Sequence, residues 1–388
     1  MKSKSRISFL NTPVNHFYML IVSTGILAVL GLIMVFSASS IHAIDTKGYA
    51  FAVAIRQFIF LVVAIPTAIS LARLSIERWE LIAKFGLIIS IGLLAIVLIP
   101  GVGKTVNGNR NWINLRVVDV QPGEFIKFLL ILWASLILAR KERNEKFKIN
   151  APALIAPGFL IAMALLMQGG DLGTTAVVGA IMAGLLFISG MDLKKMGIVA
   201  GILSIGLAIG IASSAYRRAR FFVFLDPFDP AQYKTAGWQP AHSLLGLASG
   251  GVFGAGLGGS RQKWGNLPEA HTDFIFSVIG EELGLLGTLS VLLLLAALIY
   301  AIFRIALRAE DPFSRYACAG IGCWIGIQAI LNIGTAISVL PVVGVTLPLL
   351  SYGGSALLTT ILALGFVAGV GLRDREVSTA LVKRFSKK

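Results

Sequence analysis

The chain has 388 residues, of which 56% are apolar and only 14% charged, with a mean hydropathy of +0.83 and a formal net charge of +15. A soluble protein with one buried core does not combine so much apolar with so little charged sequence, so the composition excludes that class and points to an all-α polytopic membrane protein. Two cysteines give no disulfide framework or zinc spacing, and nothing joins the positive charge to a nucleic-acid fold, so nucleic acid is discounted as a partner.

Runs near the ~20 residues that cross a bilayer fall at roughly 16–38, 57–75, 82–100, 122–140, 152–168, 171–190, 197–214, 273–303, 316–338 and 356–372. They predict about ten transmembrane helices in one domain over 1–388, the fifth and sixth closely spaced around Gly169–Asp171. The first run is too long for a cleaved signal and is expected to persist as a span. With the N-terminus inside, most Lys and Arg fall in cytoplasmic segments. These hold Lys2, Lys4 and Arg6, then Arg73 to Lys84, Arg140 to Lys148, Lys194 and Lys195, Arg304 to Arg315, and the basic tail 373–388. Both termini are therefore expected in the cytoplasm, beside anionic membrane lipid. Cys318 and Cys323 in the ninth span suit packing.

Three extracytoplasmic loops follow, at about 101–121, 214–272 and 339–355. The first carries Lys104, Arg110 and Arg116, and the second Arg217, Arg218, Arg220, Lys234, Arg261 and Lys263. The positive-inside bias disfavours such charge outside, so an anionic ligand is the simplest reason for it. Gly254, Gly256 and Gly259 match G-x-G-x-x-G formally, but no strand precedes them and a dinucleotide site is not expected. Such glycines let backbone approach backbone in a re-entrant segment, or offer N–H groups to a phosphate. In the third loop Pro341, Pro348, Gly353 and Gly354 break the helix, leaving the hydroxyls of Ser351 and Tyr352 at the outer surface.

At the start of the eighth span, Asp273 follows a polar loop and opens an apolar helix, as a helix cap would. Glu281 and Glu282 lie about 12–14 Å deeper at ~1.5 Å per residue. Acids at that depth face the bundle and pair, with Lys127 the available cation and Glu124 competing for it, or else they line an internal path.

Four motifs in order carry a family likeness: NRNWINL…VQPGEFIKF (109–128), GGDLGTT (169–175), LPEAHTDFIFSVIGEELG (267–284) and LPLLSYGGSALL (347–358). Together they resemble the SEDS family of shape, elongation, division and sporulation proteins, typified by FtsW and RodA. The Ser-Arg-Gln-Lys element at 260–263 is more similar to the division branch. The resemblance implies a peptidoglycan glycosyltransferase of the cell membrane that polymerises lipid II beside a class B penicillin-binding protein and other division or elongation proteins. It places the family's essential aspartate on Asp273, as general base of an inverting transfer with undecaprenyl diphosphate leaving. Such a step needs one base and counter-charge, which Arg or Lys clamps or a divalent cation (Mg or Mn) supply. The expected substrate-binding set is Arg110, Trp112, Arg116, Lys127, Arg217, Arg218, Arg220, Lys263, Glu269, His271, Ser351 and Tyr352. Two departures stand out. Gly169-Gly170 replaces the proline of the usual Gln-Pro-Asp-Leu-Gly-Thr, and Asp119 stands where a basic residue is usual. The alternatives are a lipid II flippase or other transporter using the intramembrane acids, and a non-catalytic division scaffold.

Overall fold

The computed structural model describes residues 12–106, 108–116, 119–144 and 150–385. Lys2, Lys4, Arg6, Lys146, Lys148, Lys387 and Lys388, part of the orientation argument, lie outside them.

The helices in chain order are α1 (Pro13–Lys47), α2 (Ala52–Ala72), α3 (Ile76–Leu98), α4 (Pro122–Arg143), α5 (Ala151–Gln168), α6 (Leu172–Ile188) and α7 (Leu193–Ala212). Then follow α8 (Ala215–Phe222), α9 (Trp238–Ser249), α10 (Ile275–Arg308), α11 (Pro312–Ala336), α12 (Gly354–Leu372) and α13 (Arg375–Phe385). Among the described residues nine helices are long and apolar enough to cross a membrane, and α6, with 17 residues, is the short apolar helix in sixth place. The chain is a multi-pass membrane protein. α4 and α12 occupy the centre, their apolar stretches 83% buried, whereas α7 is 6% buried and edges the bundle. Trp79 of α3, Phe128 of α4 and Phe366 of α12 meet edge to face in the core, and Phe313 of α11 joins them against Phe366.

The first large loop is not irregular. It folds into a three-stranded antiparallel sheet of β1 (Gly103–Val106), β2 (Asn109–Asn114) and β3 (Asp119–Val120). The basic tail is likewise a helix, α13, held to the bundle where Arg308 pairs with Asp374 and Glu376, both at 3.1 Å.

α10 is broken. Gly284 sits at φ 67°, ψ −164°, which ends the helical ladder after nine residues before it resumes. The glycine-rich segment between α9 and α10 fills the gap. Ala255 and Gly256 donate N–H to the carbonyls of Glu281 and Glu282, while the carbonyls of Gly251 and Val252 accept from Leu285 and Leu286. Backbone groups freed by a break within a membrane must find such partners. A Cβ on Gly254 would come 2.2 Å from the Glu282 carbonyl oxygen, so this contact admits only glycine. The glycines thus serve a backbone junction, on which the N–H groups of Ala255 and Gly256 are spent.

Glu281 and Glu282 complete that junction. Glu281 accepts from the Ser260 hydroxyl and from the N–H groups of Arg261 (2.9 Å) and Gln262 (3.4 Å). Glu282 pairs with Lys263 Nζ at 3.1 Å and accepts from Ser37 of α1 at 2.7 Å. Lys127 is not their partner: it lies 2.8 Å from Glu124, one turn back on α4, and donates to Gln328 at 2.8 Å.

Candidate active site

At the end of the bundle where the three large loops gather, they enclose a cavity of about 2630 Å³. The sheet forms one wall. Its Asn111 donates to Asp171 at 3.0 Å, and Asp171 caps α6 by accepting from the Thr174 N–H at 2.9 Å. The missing proline of that motif is replaced by a left-handed glycine, Gly170 at φ 86°, which reverses the chain between α5 and α6. Asp119 pairs with Lys104 at 2.7 Å, while Arg116, just beyond β2, also lines the cavity.

Asp273 stands two residues before α10, and the helix is not capped by it: the cap position is Phe274, without a side-chain bond. The segment is fixed through its backbone. Asn332 of α11 donates to the Asp273 carbonyl at 2.8 Å, Ser351 donates to the Thr272 carbonyl at 2.6 Å, and the Tyr352 N–H donates to the His271 carbonyl at 2.8 Å. His271 stacks on His42 of α1, ring centroids 5.4 Å apart. With its backbone anchored on three sides, the Asp273 carboxylate itself forms no hydrogen bond or ion pair among the described residues and faces the cavity. Burial pushes its pKa up to about 7, the Glu269 and Asp171 carboxylates push the same way, and Arg220 opposes them. Burial holds His271 down to about 4, against the pull of Glu269, so its imidazole is neutral at pH 7. A half-buried carboxylate with a pKa near neutrality and no partner is what a proton acceptor requires.

Of the residues singled out in the sequence, the cavity brings together Asp273, Trp112, Arg116, Arg217, Arg220, Lys263, Glu269, His271 and Tyr352. Four lie apart. Arg110 turns its guanidinium to the Leu98 carbonyl at 3.3 Å, behind the sheet. Arg218 is exposed and bonds the Ala212 carbonyl. Lys127 is 2% exposed within the bundle, its ammonium 5.1 Å from the Trp324 ring centre. Ser351 is spent on the backbone, donating to Thr272 and accepting from the Leu347 N–H at 2.7 Å. Lys263 touches the cavity but its ammonium is held by Glu282. Arg217 reaches the carbonyls of Gly210 (3.1 Å) and Gly170 (3.4 Å), and Arg220 meets Gln239, so neither has a carboxylate partner. Sequence reasoning missed His42, Lys47 and Arg56, which α1 and α2 add to the wall. Their signal in the sequence is polarity at the end of an apolar run. Among the described residues no three His, Cys, Asp or Glu side chains gather to hold a metal ion.

The cell cycle protein family model of FtsW, RodA and SpoVE matches residues 17–376. A Mycobacterium tuberculosis protein named "Probable peptidoglycan glycosyltransferase FtsW" is 36% identical over 96% of this chain and 71% of its own length. The Coxiella burnetii protein of the same name is 37% identical over 95% of this chain and 98% of its own. Among solved structures, a chain of a peptidoglycan synthase complex, described as coordinating polymerization and crosslinking, superposes with TM-score 0.72 at 28% identity, covering 91% of this chain and 97% of that one. Thermus thermophilus rod shape determining protein RodA gives TM-score 0.66 at 29% identity, covering 92% and 97%. On a match that spans all ten apolar helices and two relatives above a third identical, the chain belongs to the family of FtsW, RodA and SpoVE cell cycle proteins.

Proposed function

We propose that this chain is a peptidoglycan glycosyltransferase that polymerises lipid II, with Asp273 as its general base. The observation that carries the reading is the unpartnered Asp273 carboxylate, its pKa near 7, in a large cavity at the helix ends, the face on which this reading sets the lipid-linked sugar. A sugar hydroxyl bonds to the anomeric carbon of a second lipid-linked sugar. The bond from that carbon to the diphosphate breaks, its electron pair leaves with the diphosphate, and the hydroxyl proton passes to Asp273. Arg217 and Arg220, cationic and free of carboxylate partners, suit the charge that collects on the departing diphosphate. A divalent cation (Mg or Mn), held by one or two carboxylates, water and the substrate's phosphate oxygens, would add to that charge. The relatives named as glycosyltransferases support the activity, and the likeness to a synthase complex supports a crosslinking partner, here a class B penicillin-binding protein. Other division or elongation proteins would join at the cell membrane.

The test is glycan formation from lipid II by detergent-solubilised protein, where no membrane needs crossing. Asp273→Asn should abolish it while leaving expression and insertion intact. Full glycan synthesis by this variant, together with loss of lipid II movement across sealed vesicles, would replace the polymerase with a flippase.

A further inference from the structure

Residues 341–346, which follow α11, belong to no helix or strand and make no backbone–backbone hydrogen bond among the described residues. Side chains hold them instead. Gln328, Asn332 and Thr335 stand at spacings of four and three on one face of α11, all buried. Thr335 donates to the Pro341 carbonyl at 3.0 Å, Asn332 to that of Val345 at 2.8 Å and Gln328 to that of Thr346 at 2.8 Å. Gln328 is itself fixed, because its Oε1 accepts from Lys127 (2.8 Å) and from the Trp324 indole (2.7 Å), which turns its N–H groups to the segment. Asn332 bonds the Asp273 carbonyl as well, so one side chain sets the segment against the carboxylate that faces the cavity. The Val343 carbonyl lies against Gly173 of α6, where a Cβ would come within 2.3 Å. What remains unpaired among the described residues is the row of N–H groups of 342–346 and the carbonyl of Gly344. Val343, Gly344 and Thr346 line the cavity. Gly344 is exposed at φ 69°, and a Cβ there would meet Oδ2 of Asp273 at 3.5 Å.

We propose that residues 342–346 form an amide-reading edge, whose backbone groups around Gly344 pair with a secondary amide of the substrate and hold its sugar beside Asp273, with Gln328 the positioning residue of that edge. The assignment rests on the glycosyltransferase reading above. Backbone N–H and C=O groups seldom stay unpaired in a folded chain, and a row of them is matched by a ligand that carries an N–H and a C=O of its own, as when a peptide adds to a strand edge. The lipid-linked substrate has that chemistry in two places, the acetamido groups of its sugars and the peptide bonds of its stem. In either, the substrate N–H meets the Gly344 carbonyl and the substrate C=O meets one of the free N–H groups. Gln328 acts at one remove: it touches no substrate, and it fixes the Thr346 carbonyl so that the edge keeps its shape.

The experiment measures the binding of three probes to the full-length protein in detergent: lipid II, lipid II with its acetamido groups replaced by acetoxy esters, and lipid II with its stem peptide replaced by a methyl ester. The esters keep a carbonyl and lose the N–H without adding charge. The unaltered protein should bind at least one analogue about tenfold or more weakly than lipid II, and the analogue that suffers identifies the amide. Gly344→Ala, which sets a methyl over the edge, and Gln328→Leu, which releases the Thr346 carbonyl, should each bind lipid II and that analogue alike. Equal binding of all three probes by the unaltered protein would overturn the proposal, and so would discrimination retained in full by either monodisperse variant, the mark of a merely structural role. Glycan formation is read in parallel: discrimination among the probes by a protein that never makes glycan from lipid II would sink the polymerase reading and leave the amide edge standing.

Discussion

Replacing Asp273 by Asn should make the protein inactive and more stable at once. A carboxyl held at about 7 when folded, against 3.8 ordinarily, binds its proton more tightly in the folded state. Between those two values the unfolded chain has released the proton and the folded one has not, so stability falls as pH rises, by ~1.4 kcal/mol per pH unit and up to ~4 kcal/mol in all. Asn has the same shape and no proton to lose, so Asp273→Asn removes that loss. Thermal unfolding in detergent should show the variant several degrees more stable than the unaltered protein at pH 8, and equal to it below pH 4. Polymerisation of lipid II should fall by ~10²–10⁴-fold, the range for a lost general base. In the unaltered protein the rate should climb with pH up to about 7 and level off above, because the base must be deprotonated to act. An Asn variant that unfolds earlier at pH 8, or that keeps more than about a tenth of the activity, would refute the reasoning.

The neighbours should move that profile in opposite senses: Glu269→Gln should shift its midpoint to lower pH and Arg220→Ala to higher pH, read from initial rates across pH 5–9. Arg217→Ala should weaken use of lipid II by about tenfold or more, the scale of one charge-assisted contact, whereas Arg218→Ala, whose side chain is outside the cavity, should leave it unchanged. Glu282→Gln leaves the buried Lys263 ammonium without its carboxylate and should cost ~3–5 kcal/mol of stability, lowering the unfolding temperature while polymerisation per folded molecule holds. Gly284→Ala should sharply reduce the folded yield, since its Cβ would lie 2.4 Å from the Gly254 nitrogen; Gly256→Ala, with open space around it, should cost only the ~1–2 kcal/mol of a left-handed residue.

The spans were legible because hydropathy is a local signal, and the close spacing of α5 and α6 was marked by the polar Gly169–Asp171 between two apolar runs. Asp273 was legible through its motif; the same residue read by position alone suggested a cap, and the helix begins two residues later. Depth and side-chain direction were not legible. Lys127 looks accessible five residues into α4, yet Glu124 one turn back and Gln328 from α11 enclose it. The partner of Glu282 is 19 residues distant in a loop, a pairing that only the helix break at Gly284 brings about. The sheet at 103–120 escaped notice because its strands are two to six residues long and lack an apolar alternation.

The break in α10 also separates a length that meets lipid from a length that does not. A bilayer that thins or thickens tilts the helices embedded in it, and the 24 residues of α10 beyond Gly284 present Leu285, Leu286, Leu289 and Leu293 to that lipid. The nine residues before Gly284 are pinned instead to Ser37 and to the 260–263 loop. The segment that leads from Asp273 is therefore held by contacts within the protein, and the loop that bonds both sides of the break sets its angle to the lipid-facing length.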